Sequence, residues 1–257
     1  MPSVILEIKG SVAVITLNRP EKLNSFNREM ALLLQAVLNE CKNEAIRAVY
    51  LTGMGKAFSA GQDLAEVTDP DGPGMAKILS EHYNPLIMQV RALEKPVIAA
   101  VNGVAAGAGA NLALCCDLVV AATSASFIQA FSKIGLVPDS GGSYFLPRLI
   151  GFQKASALMM LGEKVHATEA ERMGMIFKVM PDENFAAESF ALAETLAAMP
   201  TRGLSYTKQL LNDSFESSLG VQLHKEDLYQ QKAALTADFR EGVDAFTNRR
   251  LPFFKGR

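Results

Sequence analysis

Between Pro96 and Asp117 the chain reads PVIAAVNGVAAGAGANLALCCD, and no other stretch constrains its fold as tightly. A continuous apolar run without polar alternation is the pattern of a buried strand. Here it passes through a turn carrying Gly103, Gly107 and Gly109 and opens directly into a helix. Glycines let the backbone turn tightly and come close to a ligand. The first amides of a helix have no acceptor within it, and that end is electropositive, so such a turn suits an anion or a developing oxyanion. The same residues also suit a crowded turn in which strand and helix pack closely. The G-x-G-x-x-G pattern begins at Gly107 but fails at Leu112, and earlier strands precede the turn, which disfavours a dinucleotide site.

Around this turn the periodicities alternate between strand and helix. Val4–Lys9 and Val12–Asn18 flank Gly10-Ser11 as a hairpin, and Arg28–Asn43 spaces Met30, Leu33, Leu34, Val37, Leu38 and Cys41 along one helical face. Further short strands are expected at Ala48–Thr52, Val97–Val101, Leu118–Ala121 and from Phe127. The repeated strand, strand and helix units, without a parallel βαβ rhythm, suggest a coiled stack rather than a doubly wound sheet. DPDGPG at residues 69–74 is a loop. From about Gly151 the pattern is mostly helical, with helices expected at Phe185–Met199, Leu204–Phe215, Leu219–Ala237 and Phe239–Asn248, and Met159-Met160 expected in the core. No low-complexity linker divides the chain.

Composition narrows the function classes. A net charge of −2 gives no support for nucleic acid or an anionic membrane as partner. Apolar runs stop short of the ~20 residues needed to span a bilayer, and the start MPSVILEIKG lacks a basic region and cleavage-like site. Cys41, Cys115 and Cys116 have neither disulfide-framework nor zinc spacing, so no metal is expected and a reducing cytoplasm fits. His82, His166 and His224 are scattered, and Ser59 and Ser140 lack the G-x-S-x-G elbow, which argues against a Ser-His-Asp hydrolase.

Five ordered segments together resemble the enoyl-CoA hydratase/isomerase (crotonase) superfamily over essentially the full length. They are ITLNRPEKLN (15–24), AFSAGQDL (57–64), the stretch 96–117, IGLVPDSGGSYFLPR (134–148) and AERMGMIFKV (170–179). The resemblance implies an α/β fold, a spiral of ββα units over residues 1–200 with an acyl-CoA site, and a helical region at 201–257 that mediates trimers or dimers of trimers. It implies that two backbone amides hold the thioester oxygen, assigned by motif position to Ala60 and Ala108, with Gly61, Gln62 and Asp63 beside them. Lys22 and Leu23 match a stretch lying along coenzyme A, and Phe254 and Lys255 match a tail element that reaches coenzyme A, often from a neighbouring subunit. Lys22 suits a solvated loop equally well, and the two tail residues suit simple docking of a terminus. Coenzyme A enters as part of the substrate, and no separate cofactor is expected.

The departures from the family pattern matter as much. Hydratases of the family carry glutamates at the positions of Asn111 and Phe131, and neither residue here can exchange a proton with water. A different acid, Asp139 in LVPDSGG, stands where hydratases commonly have glycine and where some isomerases carry their catalytic Asp. Read alone, Asp139 caps the helix expected near Gly141. Read with the resemblance, it is the catalytic candidate. GVAAGAGA, FSKIGLVPDSGG and LPRLIG together resemble the branch that isomerises ring-1,2-epoxyphenylacetyl-CoA and shifts Δ3 double bonds to Δ2 in enoyl-CoA. A hydratase using Asp139, or a non-catalytic acyl-CoA-binding subunit, are the alternatives.

Overall fold

The computed structural model describes residues 1–257. The chain opens as an antiparallel hairpin of β1 (Val4–Lys9) and β2 (Val12–Leu17), with Val4 opposite Leu17 and Lys9 opposite Val12. Helix α1 (Arg28–Glu40) follows, its first turn capped by Asn27, whose side chain accepts the Met30 N–H at 3.0 Å. Met30, Leu34, Val37 and Leu38 are its buried face, as the spacing predicts.

Three turns of a spiral come next, and each contributes one strand to each of two sheets. The first turn is β3 (Ala48–Gly53) and β4 (Ala57–Ser59), followed by the short helices α2 (Leu64–Thr68) and α3 (Gly74–Lys77). A π-helical segment, Ile78–Tyr83, leads into α4 (Asn84–Ala92), where Pro85 occupies the first turn and needs no N–H acceptor. The second turn is β5 (Val97–Val101), β6 (Val104–Ala106) and α5 (Ala108–Leu114). The third is β7 (Leu118–Ala122) and β8 (Ser126–Ile128), then a 3-10 turn at Ala130–Ile134 and helices α6 (Gly142–Ile150) and α7 (Phe152–Leu161). The chain continues through β9 (Lys164–His166), α8 (Ala167–Arg172) and β10 (Lys178–Met180) into α9 (Phe185–Ala198), α10 (Thr201–Ser214), α11 (Leu219–Ala234) and α12 (Ala237–Thr247).

The larger sheet has the order β1-β2-β3-β5-β7-β10 and the smaller β4-β6-β8-β9. Pairing from β2 to β10 in the larger sheet is parallel throughout, and so is β4-β6-β8 in the smaller. The expected lack of parallel rhythm is therefore corrected. Each coil of the spiral returns to its sheet in the same direction, and the alternation between sheets hides this from a linear reading. Strand β5 lies in the middle of the larger sheet with all five residues buried, which explains its unbroken apolar run. A second correction concerns Met160, which is 75% exposed, whereas Met159 packs against the core.

Candidate active site

Gly61 brings the turn after β4 against the turn before α5. Its φ of +90° is a left-handed value, and a Cβ there would lie 2.8 Å from the Ala106 carbonyl oxygen and 3.3 Å from the Ala108 nitrogen. Only glycine permits that approach, and it sets two stretches of backbone side by side at the mouth of a cavity of about 200 Å³. Ala60, Gln62, Tyr83, Ala108, Phe131 and Asp139 are among its lining residues.

The amides differ in what they are free to do. Ala108 is the first residue of α5, so its N–H has no intrahelical acceptor. The Ala60 N–H donates to the Leu23 carbonyl at 2.9 Å, which corrects the assignment of Ala60 as the second oxyanion donor: its proton is already committed. Phe26 brackets the next residues, donating its N–H to Gly61 O at 2.7 Å and accepting the Asp63 N–H at 2.8 Å. That leaves the Gln62 N–H with no protein acceptor, beside the cavity and next to the Gly61–Ala108 contact. The sequence reading placed Gln62 in the site but chose its neighbour but one for this role.

Asp139 lies in the cavity wall, and the structure decides against its role as a side-chain cap. Helix α6 begins at Gly142 without any side-chain cap, and the contact to its first turn is the Asp139 carbonyl accepting the Gly142 N–H at 2.8 Å. The only side chain donating to the Asp139 carboxylate is the Ser140 hydroxyl, at 2.8 Å to Oδ1, and its second oxygen has no side-chain donor. Burial raises its pKa above the usual carboxylate value, opposed by the Ser140 hydrogen bond and by its own backbone N–H. The apolar side chains of Phe131, Ile134 and Leu136 line the same cavity. Tyr83 is buried there too, its hydroxyl donating to Gln62 Oε1 at 2.7 Å, and burial together with the Asp139 charge holds its phenol protonated.

The remaining candidates divide. Leu23 touches the site through its carbonyl, while Lys22 beside it is exposed; Leu23 and Asn24 are both left-handed, and buried Asn24 pins the loop by donating to the Ala57 carbonyl at 2.7 Å. The Asp63 carboxylate is engaged structurally, pairing with Arg19 at 2.9 Å and capping α2 through the Ala65 N–H. Phe254 and Lys255 do not line the cavity. Arg47 holds the Phe254 carbonyl at 2.8 Å and Asp238 accepts the Lys255 N–H at 2.6 Å, which directs the tail to a separate cleft of about 660 Å³.

A two-sheet spiral whose second turn delivers an unpaired amide to a cavity with one half-buried acid has the architecture of crotonase-like enzymes. Residues 7–257 match the family model described as "Enoyl-CoA hydratase/isomerase", and the chain belongs to that family. It is 46% identical to the 1,2-epoxyphenylacetyl-CoA isomerase of Escherichia coli (strain K12), covering all of both chains. It is 36% identical to the 2,3-dehydroadipyl-CoA hydratase of the same organism, again over all of both. Among solved structures, an enoyl-CoA hydratase from Bacillus anthracis superposes with a TM-score of 0.92 at 31% identity, covering 99% of this chain and 100% of the other.

Proposed function

We propose that the protein is an acyl-CoA isomerase that moves a proton through a thioester enolate. The substrate is 1,2-epoxyphenylacetyl-CoA, rearranged to an oxepin-CoA, together with enoyl-CoA esters whose double bond shifts from Δ3 to Δ2. The observation that carries this reading is the single carboxylate of the cavity, Asp139, with one oxygen free of any side-chain donor and its pKa raised by burial.

In the proposed sequence the ionised Asp139 removes a proton from the carbon next to the thioester. The electron pair moves onto the thioester oxygen, and the enolate is held by the N–H groups of Ala108 and Gln62. The protonated Asp139 then returns its proton further along the conjugated system. For the epoxide, the C–C bond shared by the two rings opens electrocyclically, its electron pair becoming part of the oxepin double bonds, and the proton shift follows. Atoms and charge balance without water or a second reactant. A raised pKa suits both halves of this shuttle, because the carboxylate accepts and releases a proton nearer neutrality. Hydration needs an acid and base to position and activate water. Buried Asn111 and Phe131 stand at the two positions where hydratases of the family carry glutamates.

We also propose that Lys22 and Leu23 flank the bound coenzyme A, that Phe254 and Lys255 act on the site of a neighbouring subunit, and that the working form is a trimer or a dimer of trimers. Three buried free cysteines fit a reducing cytoplasm. No helix is long and apolar enough to cross a membrane.

The test is Asp139→Asn, assayed by absorbance and product mass on the epoxide and on a 3-enoyl-CoA. The variant is expected to fold, bind the ester and lose at least ~100-fold in isomerisation. Wild-type turnover by the variant would remove Asp139 from the chemistry. A product heavier by one water would assign hydration instead.

A further inference from the structure

Asn111 is completely buried, and both ends of its side-chain amide are used. Nδ2 donates to the backbone carbonyl of Asp139 at 2.8 Å, and Oδ1 accepts from Nε2 of Gln129 at 2.8 Å. A buried amide with donor and acceptor both matched has one orientation, since flipping it sets donor against donor and acceptor against acceptor. Its helix is α5, whose first residue supplies the Ala108 N–H. One side chain therefore joins the element bearing an oxyanion donor to the loop bearing the acid.

That loop has little else to hold it. Ser132 to Val137 are exposed, and the turn after Asp139 places Ser140 and Gly141 consecutively in the left-handed region, with φ of +49° and +72°. A non-glycine residue there persists only where its surroundings over-determine it. The approach is close as well: a Cβ on Gly142 would run into the Asn111 amide. Gln129 carries a cost for its part, because its Oε1 is buried without a hydrogen-bond partner. A residue kept in that state while its Nε2 orients Asn111 calls for a reason beyond packing.

We propose that Asn111, braced by Gln129, is a positioning residue that locks the Asp139 loop to the oxyanion helix, so that base and oxyanion donor are held as one rigid unit. The proposal rests on the reading of Asp139 as the base. It gives Asn111 a role that a carboxylate at that position cannot fill, because a carboxylate would face the Asp139 carbonyl oxygen with no proton to donate.

The experiment uses the full chain with Asn111→Leu and Gln129→Met, each followed by isomerisation of a 3-enoyl-CoA across pH and by thermal melting. Asn111→Leu is expected to lower kcat about 100-fold with KM little changed, the cost of misplacing a catalytic group by an ångström. The acid limb of its kcat/KM profile moves to lower pH, because a loosened loop lets water reach the carboxylate and removes the burial that raises its pKa. The titratable groups that line the cavity with Asp139 are Tyr83 from the π-helical segment and Lys133 from the 3-10 turn, both unaltered in these variants. Gln129→Met is expected to move rate and acid limb in the same direction by less, with its melting temperature near wild type, since it removes the orphaned Oε1 along with the brace.

Wild-type rates with an unmoved acid limb in both variants would overturn the proposal. So would a rate that falls only in proportion to the folded fraction. If Asn111→Leu does not fold, Gln129→Met decides alone. Asp139→Asn run in parallel separates the two readings: full activity there removes the base and the proposal with it, while an inactive Asp139→Asn beside unaffected Asn111 and Gln129 variants removes the proposal only.

Discussion

Ala60 and Gln62 sit two residues apart, and what separates them is where their N–H groups go. Regular extended backbone would aim N–H groups two residues apart the same way, but Gly61 at φ +90° breaks that regularity, so in Ser59-Ala60-Gly61-Gln62-Asp63 the free amide is decided by whatever lies alongside. Here Leu23 and Phe26 lie alongside, from a loop more than thirty residues earlier, and they take the Ala60 and Asp63 protons. The pairing is tertiary, which is why the sequence located the stretch but named the wrong amide. The free N–H of Ala108 was legible because a helix start is a local feature. Ala108→Pro should test it, since proline is tolerated at the first helical position and removes only the N–H in question. A folded variant with kcat lower by about 10²–10³-fold is expected, the usual loss of an oxyanion donor; an unchanged kcat would take Ala108 out of the hole. Asp139 makes a second prediction through linkage. Its folded pKa lies above the 3.8 of an unperturbed aspartate, so the folded state favours the protonated form. The stability this contributes is present below the unfolded pKa and is lost as pH rises through the folded pKa. Asp139→Asn removes the buried charge, so its melting temperature should exceed wild type at pH 7, and the gap should close as the pH approaches 4. A constant gap across pH would mean that the carboxylate is not desolvated.

At the level of elements, the hairpin, the α1 face and helices α9 to α12 were legible because each rests on a periodicity within a dozen or so residues. The smaller sheet was legible only at β8, expected from Phe127. Strands β4, β6, β8 and β9 are three residues each, too short to carry a period, and they exist because longer strands in the larger sheet set their spacing. Also hidden was the junction between spiral and helical region. Asp117, just after α5, pairs with Arg91 of α4 at 3.0 Å and with Lys208 of α10 at 2.9 Å, and accepts the Val97 N–H at 2.8 Å. Lys208 is buried, and its ammonium also donates to the Val90 carbonyl at 2.7 Å. Nothing local in the sequence marks a lysine as an interior residue, since lysine is seldom buried unless paired. Removing one partner of a buried pair leaves the other uncompensated, so Lys208→Met should cost about 3 kcal/mol. Urea unfolding would show this as a lower midpoint at an unchanged slope. An unshifted midpoint would mean that α10 docks on its apolar contacts alone.

At the scale of the whole molecule, the surface is larger than the mass requires. A compact monomer of 27.7 kDa exposes about 11,000 Å² by the usual scaling with mass, and this chain exposes 13001 Å². The excess is concentrated where the helices have no partner. Helix α11 runs for sixteen residues without one that is buried. Leu219, Leu235, Phe246, Leu251 and Phe253 are each at least 75% exposed across α11, α12 and the tail. Apolar surface of that extent on a folded chain marks an interaction face. Since the tail also carries Phe254 and Lys255 away from the cavity of its own chain, a second copy is the partner we expect. The apolar residues would then be covered, and each tail would lie within reach of another subunit's site. Sedimentation velocity at micromolar concentration should give three or six times the monomer mass. Phe246→Glu, which puts a charge on an 87% exposed side chain and so spares the monomer's own core, should shift the boundary toward the monomer with the helical signal retained. A wild-type chain that sediments as a monomer would sink this reading and leave the exposed helices without an occupant.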